Sequence, residues 1–297
     1  MASLRNSARF LGLKATSGSP LMLQRNTELP KAARLLRVLS SRSLEFSRSY
    51  ASEERTRGTF LSKLLGQSVS PHTAAHSKVL TESLALYELQ FHYVKPECMS
   101  DYLDLVSEVN PKLDKNENFP GKLIGSWTTQ YGELDQVVHL WSYQGGYKSA
   151  SDAKNFLATD KEFLETAKKR SLLLRRRENQ LLHEFSFWGQ PQFRDPSHIY
   201  ELRSYSLKPG TLIEWGNNWG LAIKIRQDDA VGGFFSQIGD LYQVHHIWAY
   251  KDLSHRKTAR EIMWQEPAWG DCVANTVPLV NHMGSRILVP TSFSPMQ

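Results

Sequence analysis

From Leu86 onward, short runs of alternating apolar and polar residues are separated by stretches with helical spacing. In Leu86–Glu97, LYELQFHYVKPE, the side chains of Tyr87, Leu89 and Phe91 alternate with Glu88, Gln90 and His92, the period of a half-buried strand. Pro96 and Glu97 suit the first turn of a helix, whose apolar positions Met99, Leu103 and Val106 run towards a stop near Pro111. Lys122–Gln130 and Gln136–Tyr143 read as strands joined around Gly132 into an antiparallel hairpin. A longer helix from about Ser151 to Asn179 and a strand over Leu181–Trp188, with the run EFSFW, complete a βαββαβ order.

The order occurs twice. Ile199–Gly210, IYELRSYSLKPG, repeats the first strand at a shift of 113 positions, and Ile238–Tyr250, IGDLYQVHHIWAY, matches YGELDQVVHLWSY of Tyr131–Tyr143 at a shift of 107, with seven of thirteen positions identical. Between and after these blocks come a helix at EWGNNW, a strand at VGGFFSQIG, a second helix near Ser254–Ala268 and a last strand at Ile287–Val289. The fold class is therefore α+β. A βαββαβ unit folds most simply as a ferredoxin-like four-stranded antiparallel sheet with both helices on one face. Two such domains, over 84–190 and 197–297, can bury their bare faces against each other as a pseudo-symmetric sheet pair or barrel.

The blocks IYELRSYSLKPG, EWGNNW, VGGFFSQIGDLYQVHHIWAYKDL and EFSFW resemble the NipSnap family, and the resemblance extends from about Leu86 to the C-terminus. It implies tandem dimeric α/β-barrel domains, mitochondrial targeting by the N-terminus, and recruitment of autophagy machinery to damaged organelles. The partners it implies are autophagy receptors and autophagosome ubiquitin-like proteins, with homo- or hetero-oligomers of paralogues compatible with it. It supplies no catalytic residues and no cofactor.

Charge changes the reading of the N-terminus. The formal net charge is +6, but residues 1–50 hold nine of the 36 Lys and Arg and only two of the 30 acids, so the remaining chain is nearly neutral. This Arg-, Ser- and Leu-rich segment, broken by Pro20 and Pro30, has the chemistry of a mitochondrial transit peptide. Ala32, Leu35, Leu36 and Leu39 gather on one helical side and Lys31, Arg34 and Arg37 spread towards another. Arg48-Ser49-Tyr50-Ala51 resembles a matrix-processing site, with cleavage expected between Tyr50 and Ala51. Residues 51–83 read as a flexible linker carrying one apolar helical face at Phe60, Leu61, Leu64 and Leu65. The expected location is the matrix after import and the mitochondrial surface after depolarisation. No run of 18 apolar residues suggests a membrane-spanning helix, which leaves peripheral membrane contact open.

Candidate chemistry centres on a duplicated stripe. His139, Trp141 and Tyr143 share a strand face, as do His246, Trp248 and Tyr250. Glu88 and Glu201 lie on neighbouring strands, opposite the leucines. Glu88 with His139 and Glu201 with His246 could therefore line one cleft with Trp141 and Trp248, an arrangement suited to general-base or haem chemistry. The competing reading is that these are buried polar residues satisfying one another where two sheets meet. His245 and His246 face opposite sides of their strand and cannot share a metal. Gly232-Gly233 inside a strand suggests a bulge or a close backbone approach. The basic run Lys168–Glu178, KKRSLLLRRRE, reads as a solvated helix face or a patch for anionic lipid or acidic partners, and the near-neutral body argues against nucleic acid.

Overall fold

A computed structural model describes residues 80–297. The first copy comprises β1 (Leu86–Val94), α1 (Met99–Asp114), β2 (Lys122–Tyr131), β3 (Gln136–Tyr143), α2 (Gly146–Thr159), α3 (Lys161–Leu173) and β4 (Leu174–Glu184). The second comprises β5 (Ile199–Leu207), α4 (Leu212–Ala222), β6 (Ala230–Ile238), β7 (Gln243–Tyr250), α5 (Leu253–Met263), α6 (Pro267–Thr276) and β8 (Val280–Pro290). The strands form one closed antiparallel barrel in the order β1-β3-β2-β8-β5-β7-β6-β4. Each copy contributes the ferredoxin-like order 4-1-3-2, and the copies are sewn together by β2 against β8 and by β4 against β6. Among the described residues, closure leaves no barrel edge to pair with another chain.

Strand alternation decides the two faces. Tyr87, Leu89 and Phe91 of β1, Val138 and Leu140 of β3, and Tyr200, Leu202, Phe234 and Ile247 of the second copy fill the barrel. The alternate residues point outward under the helices, where Trp141 and Tyr143 belong to one cluster and Trp248 and Tyr250 to another. The His-Trp-Tyr stripes thus lie beneath the helices and not where the two sheets meet. The reason is register: the aliphatic set of each strand fills the barrel, so its partner set must face the helices.

Several boundaries differ from the sequence reading. The expected helix over Ser151–Asn179 is two helices, broken at Asp160, whose side chain caps α3 by accepting from the amides of Glu162 and Phe163. The chain then turns into β4 at Leu174, so Arg175, Arg176 and Arg177 belong to a strand and the basic run is not a single helix face. Pairing with β1 along Leu174–Leu182 outweighs the helix propensity of that run. The strand ends at Glu184, and Phe185–Gly189 of the EFSFW region forms a turn closed by Trp188 and Gly189 amides on the Phe185 carbonyl. In the second copy, Pro267 starts a new helix where one continuous helix was expected. The last strand is longer than Ile287–Val289 because β8 pairs along all of β5. Pro111 lies inside α1 and does not end it.

Candidate functional site

The repeats place equivalent residues at equivalent positions, so the space between sheet and helices can be compared position by position. In the first copy, β1 pairs with β4 such that Gln90 opposes Asn179 and His92 opposes Arg177, all rising on the helix side. Glu88 accepts from Tyr143 at 2.7 Å, from Lys154 of α2 at 2.8 Å and from Asn179 at 2.5 Å. Burial works to raise its pKa, but Lys154, Asn179 and Tyr143 together hold the carboxyl below its ordinary range. In the second copy, Glu201 accepts a bidentate pair from Arg256 at 2.7 and 2.9 Å, one bond from Arg203 at 3.0 Å and one from Ser285 at 2.7 Å. Against the same opposing burial, the Arg256 and Arg203 guanidinium groups and the Ser285 hydroxyl bring it down to about 2.

Neither glutamate reaches the histidine expected to partner it. Glu88 pairs across the strands with Trp141 and Glu201 with Trp248, two residues away from His139 and His246. His139 instead lies in a buried chain of hydrogen bonds. Its Nε2 meets the Tyr102 hydroxyl of α1 at 2.8 Å, its Nδ1 meets Ser126 Oγ of β2 at 2.9 Å, and Tyr102 also meets His92 Nδ1 at 2.5 Å. The Asn110 side-chain amide, a donor, approaches His139 Nδ1 at 3.5 Å. With Nδ1 accepting from Ser126 and Asn110, His139 carries its proton on Nε2 and donates to Tyr102. Tyr102 then donates to His92 Nδ1, which leaves the His92 proton on Nε2. Burial, together with the Arg170 charge, lowers His139 to about 3, so the chain is neutral at physiological pH.

The corresponding positions in the second copy are Tyr205 for His92, Trp215 for Tyr102, His246 for His139 and Gly233 for Ser126. His246 is fully buried, and neither ring nitrogen has a hydrogen-bond partner among the described residues. It lies in a cage of rings, with centroids of Trp219 at 4.4 Å, Trp188 at 4.5 Å and Tyr205 at 5.2 Å. Gly233 makes this possible: a Cβ there would lie 2.2 Å from the Trp188 ring. That contact is the close backbone approach expected at the Gly-Gly pair, and the register shift between Ala230 and Gly232 is the irregularity. Beside the cage, Trp215, Trp219, Trp248 and Trp269 line an apolar hollow of about 130 Å³. Arg226 stacks on Trp248 at 3.9 Å from the ring centroid.

The six residues singled out from the sequence therefore do not line one cleft. Glu88 borders a polar cavity of the first copy and Trp248 the apolar hollow of the second. Trp141 packs edge-on against Phe119, while His139, Glu201 and His246 are engaged as described. Sequence reasoning missed His92, Tyr102 and Ser126; the available signal was the departure between copies at three aligned positions. Arg48, Tyr50 and Ala51, together with the Phe60–Leu65 stretch, lie outside the described residues. No helix of the described residues is long and apolar enough to cross a membrane.

A family model for NIPSNAP matches residues 87–188 and again 200–295. The chain belongs to the NipSnap family. The two NipSnap matches coincide with the two sheet halves and meet in the connection between β4 and β5. Human Protein NipSnap homolog 2 is 51% identical over 83% of this chain and 88% of that protein. Zebrafish (Danio rerio) Protein NipSnap homolog 1 is 49% identical over 80% and 87%. The solved structure of an anthrone oxidase-like protein superposes with a TM-score of 0.51 at 11% identity, covering 71% of this chain and 93% of that one, a likeness of fold.

Proposed function

We propose that this NipSnap protein is a noncatalytic mitochondrial protein that recruits autophagy machinery when the organelle is damaged. The observation that carries the reading is charge placement: an acid-poor, Arg- and Ser-rich first fifty residues precede a nearly neutral body. Import of such a segment uses the membrane potential, which does work on positive charge. Loss of potential then leaves new chains at the surface, and location itself is the switch. The recognised element is the folded surface or the apolar Phe60–Leu65 stretch, with autophagy receptors and autophagosome ubiquitin-like proteins as partners. Two aromatic-x-x-aliphatic strings, at Tyr102–Leu105 and Phe235–Ile238, have their aromatic anchors fully buried in α1 and β6 and cannot act as free linear peptides.

External protease applied to intact mitochondria before and after depolarisation tests the reading. Residues 80–297 should become digestible after depolarisation, in step with receptor arrival. Full protection with normal receptor arrival would overturn it. N-terminal sequencing of the imported protein should begin at or within a few residues of Ala51; a chain still starting at Met1 would remove the targeting argument.

A further inference from the structure

The first copy holds a cavity of about 340 Å³ between its sheet and its helices, bordered by His92 and Glu88 of β1, Arg177 and Glu178 of β4, Lys154 of α2 and Arg170 of α3. Its carboxylates are already committed. Glu88 is held by Lys154, Asn179 and Tyr143, and Glu178 accepts from Tyr93 at 2.9 Å and from Arg176. Arg170 and Arg177 are left without a carboxylate partner among the described residues. The Nε of Arg170 is buried and has no hydrogen-bond partner either. His92 is only 5% exposed and its Nδ1 is taken by Tyr102, while Nε2 has no partner among the described residues where the ring borders the cavity. The relay from Ser126 through His139 and Tyr102 puts the His92 proton on that nitrogen. Two guanidinium groups and one imidazole N–H thus converge on a half-enclosed space with no acceptor of their own.

We propose that this cleft binds a small oxyanion, carried by a carboxylate or a phosphate-type group, with Arg170, Arg177 and the His92 Nε2–H as its donors. A guanidinium pair matches the lone pairs of such a group, and partial burial strengthens each contact over its value in water. In the second copy Met283 replaces Arg177 and Tyr205 replaces His92 at the same register positions, so this donor set is not repeated there, and the arginines that border its hollow are Arg203, Arg226 and Arg260. The site is independent of recruitment, since a NipSnap protein can signal by location with the cleft empty or filled.

The proposal also has a proton linkage. Facing His92 are Tyr102 of α1, His139 of β3, Lys154 of α2, Arg170 of α3, Arg177 of β4 and Glu88 of its own strand. Burial, with the charges of Arg170, Arg177 and Lys154, holds the His92 imidazole well below its ordinary value. A bound anion offsets those cations and raises it, so the anion binds more tightly as pH falls below neutrality.

Titration of the full chain with sulfate and, separately, with acetate, at constant ionic strength set by chloride, tests the site by imidazole NMR. Sulfate keeps its charge across this pH range. Saturable displacement of the His92 Nε2 signal is expected, and the tighter of the two anions identifies the headgroup class. Arg177→Gln, at an exposed strand position, should weaken binding about tenfold or more. Arg170→Gln should do the same, with His92→Gln abolishing the pH dependence. A His92 signal unmoved by either anion, or affinities unchanged in both arginine variants, would overturn the proposal.

Discussion

His139 and His246 occupy the same place in the two copies, on the third strand beneath the helices, and their surroundings are opposite. His139 is bound at both nitrogens, whereas His246 has no hydrogen bond among the described residues and sits edge-on and tilted among tryptophan rings. The backbone register is preserved, with Ser126 facing His139 and Gly233 facing His246. What differs is the pair of hydroxyls beside the ring, since Gly233 and Trp215 stand where the first copy has Ser126 and Tyr102. Where serine and tyrosine supply them, the imidazole joins a polar chain leading to His92 and a cationic cleft. Where glycine stands instead, Trp188 fills the space and the cleft becomes aromatic. A duplicated scaffold can therefore satisfy a buried imidazole either by hydrogen bonds or by ring contacts, and only the first solution leaves a polar opening.

The largest expected effect separates the two glutamates. Glu201→Gln leaves Arg203 and Arg256, both mostly buried, without their counter-charge, and should cost about 3–5 kcal/mol in urea unfolding. Glu88→Gln should cost about 1 kcal/mol, because Lys154 is half-exposed and can return to water. Equal losses would show that the two copies balance charge in the same way.

Acid should act through the same asymmetry. Glu201 ionises near 2 when folded and near 4.5 in the reference state, so its stabilisation is complete above pH 4.5 and is lost as pH falls towards 2. The loss is on the order of 3 kcal/mol and should be absent in Glu201→Gln. Buried His92, His139, His245 and His246 are all depressed below 6.5, chiefly by burial. The unfolded chain takes up their protons first, so stability also declines as pH drops below 6.5, by at most about 1.4 kcal/mol per pH unit for each histidine. Unfolding free energy measured from neutral pH downward checks both signs.

Replacing each histidine by phenylalanine sharpens the contrast further. His139→Phe strands the Tyr102 and Ser126 hydroxyls and should cost about 2 kcal/mol, whereas His246→Phe removes no hydrogen bond and should change stability by about 0.5 kcal/mol or less. Ser126→Gly, which makes the first copy resemble the second at one position, should cost about 1 kcal/mol, between those two values. Loss of the Ser126 hydrogen bond should shift the His139 Nδ1 signal in imidazole NMR.

Much of the architecture was legible in the chain. Alternation in LYELQFHYV and its copy IYELRSYSL identified the strands, and the two repeat blocks, taken in order, identified the duplication that closes the barrel. Boundaries failed where tertiary pairing competes with local preference, as at Leu174–Arg177, where charged residues of good helix propensity are drawn into β4 by β1. The candidate site was legible only in part. The stripe of His139, Trp141 and Tyr143 was read on the correct shared face, but its pairing with Glu88 was not formed, because strand register offsets the two by two residues.

Sequence by itself determined the strand period, the repeat and the uneven charge, since these depend on spacing and composition along one chain. Tertiary structure alone decided which face of each strand lies under the helices, because that depends on which set of side chains fills the closed barrel. It also decided that Tyr102, from a helix, would join His92 to His139, and that Arg170 and Arg177 would have no carboxylate partner among the described residues. Hydrogen bonds and charge balance at a buried site are set by distances between elements far apart in the chain, and no local pattern encodes those distances.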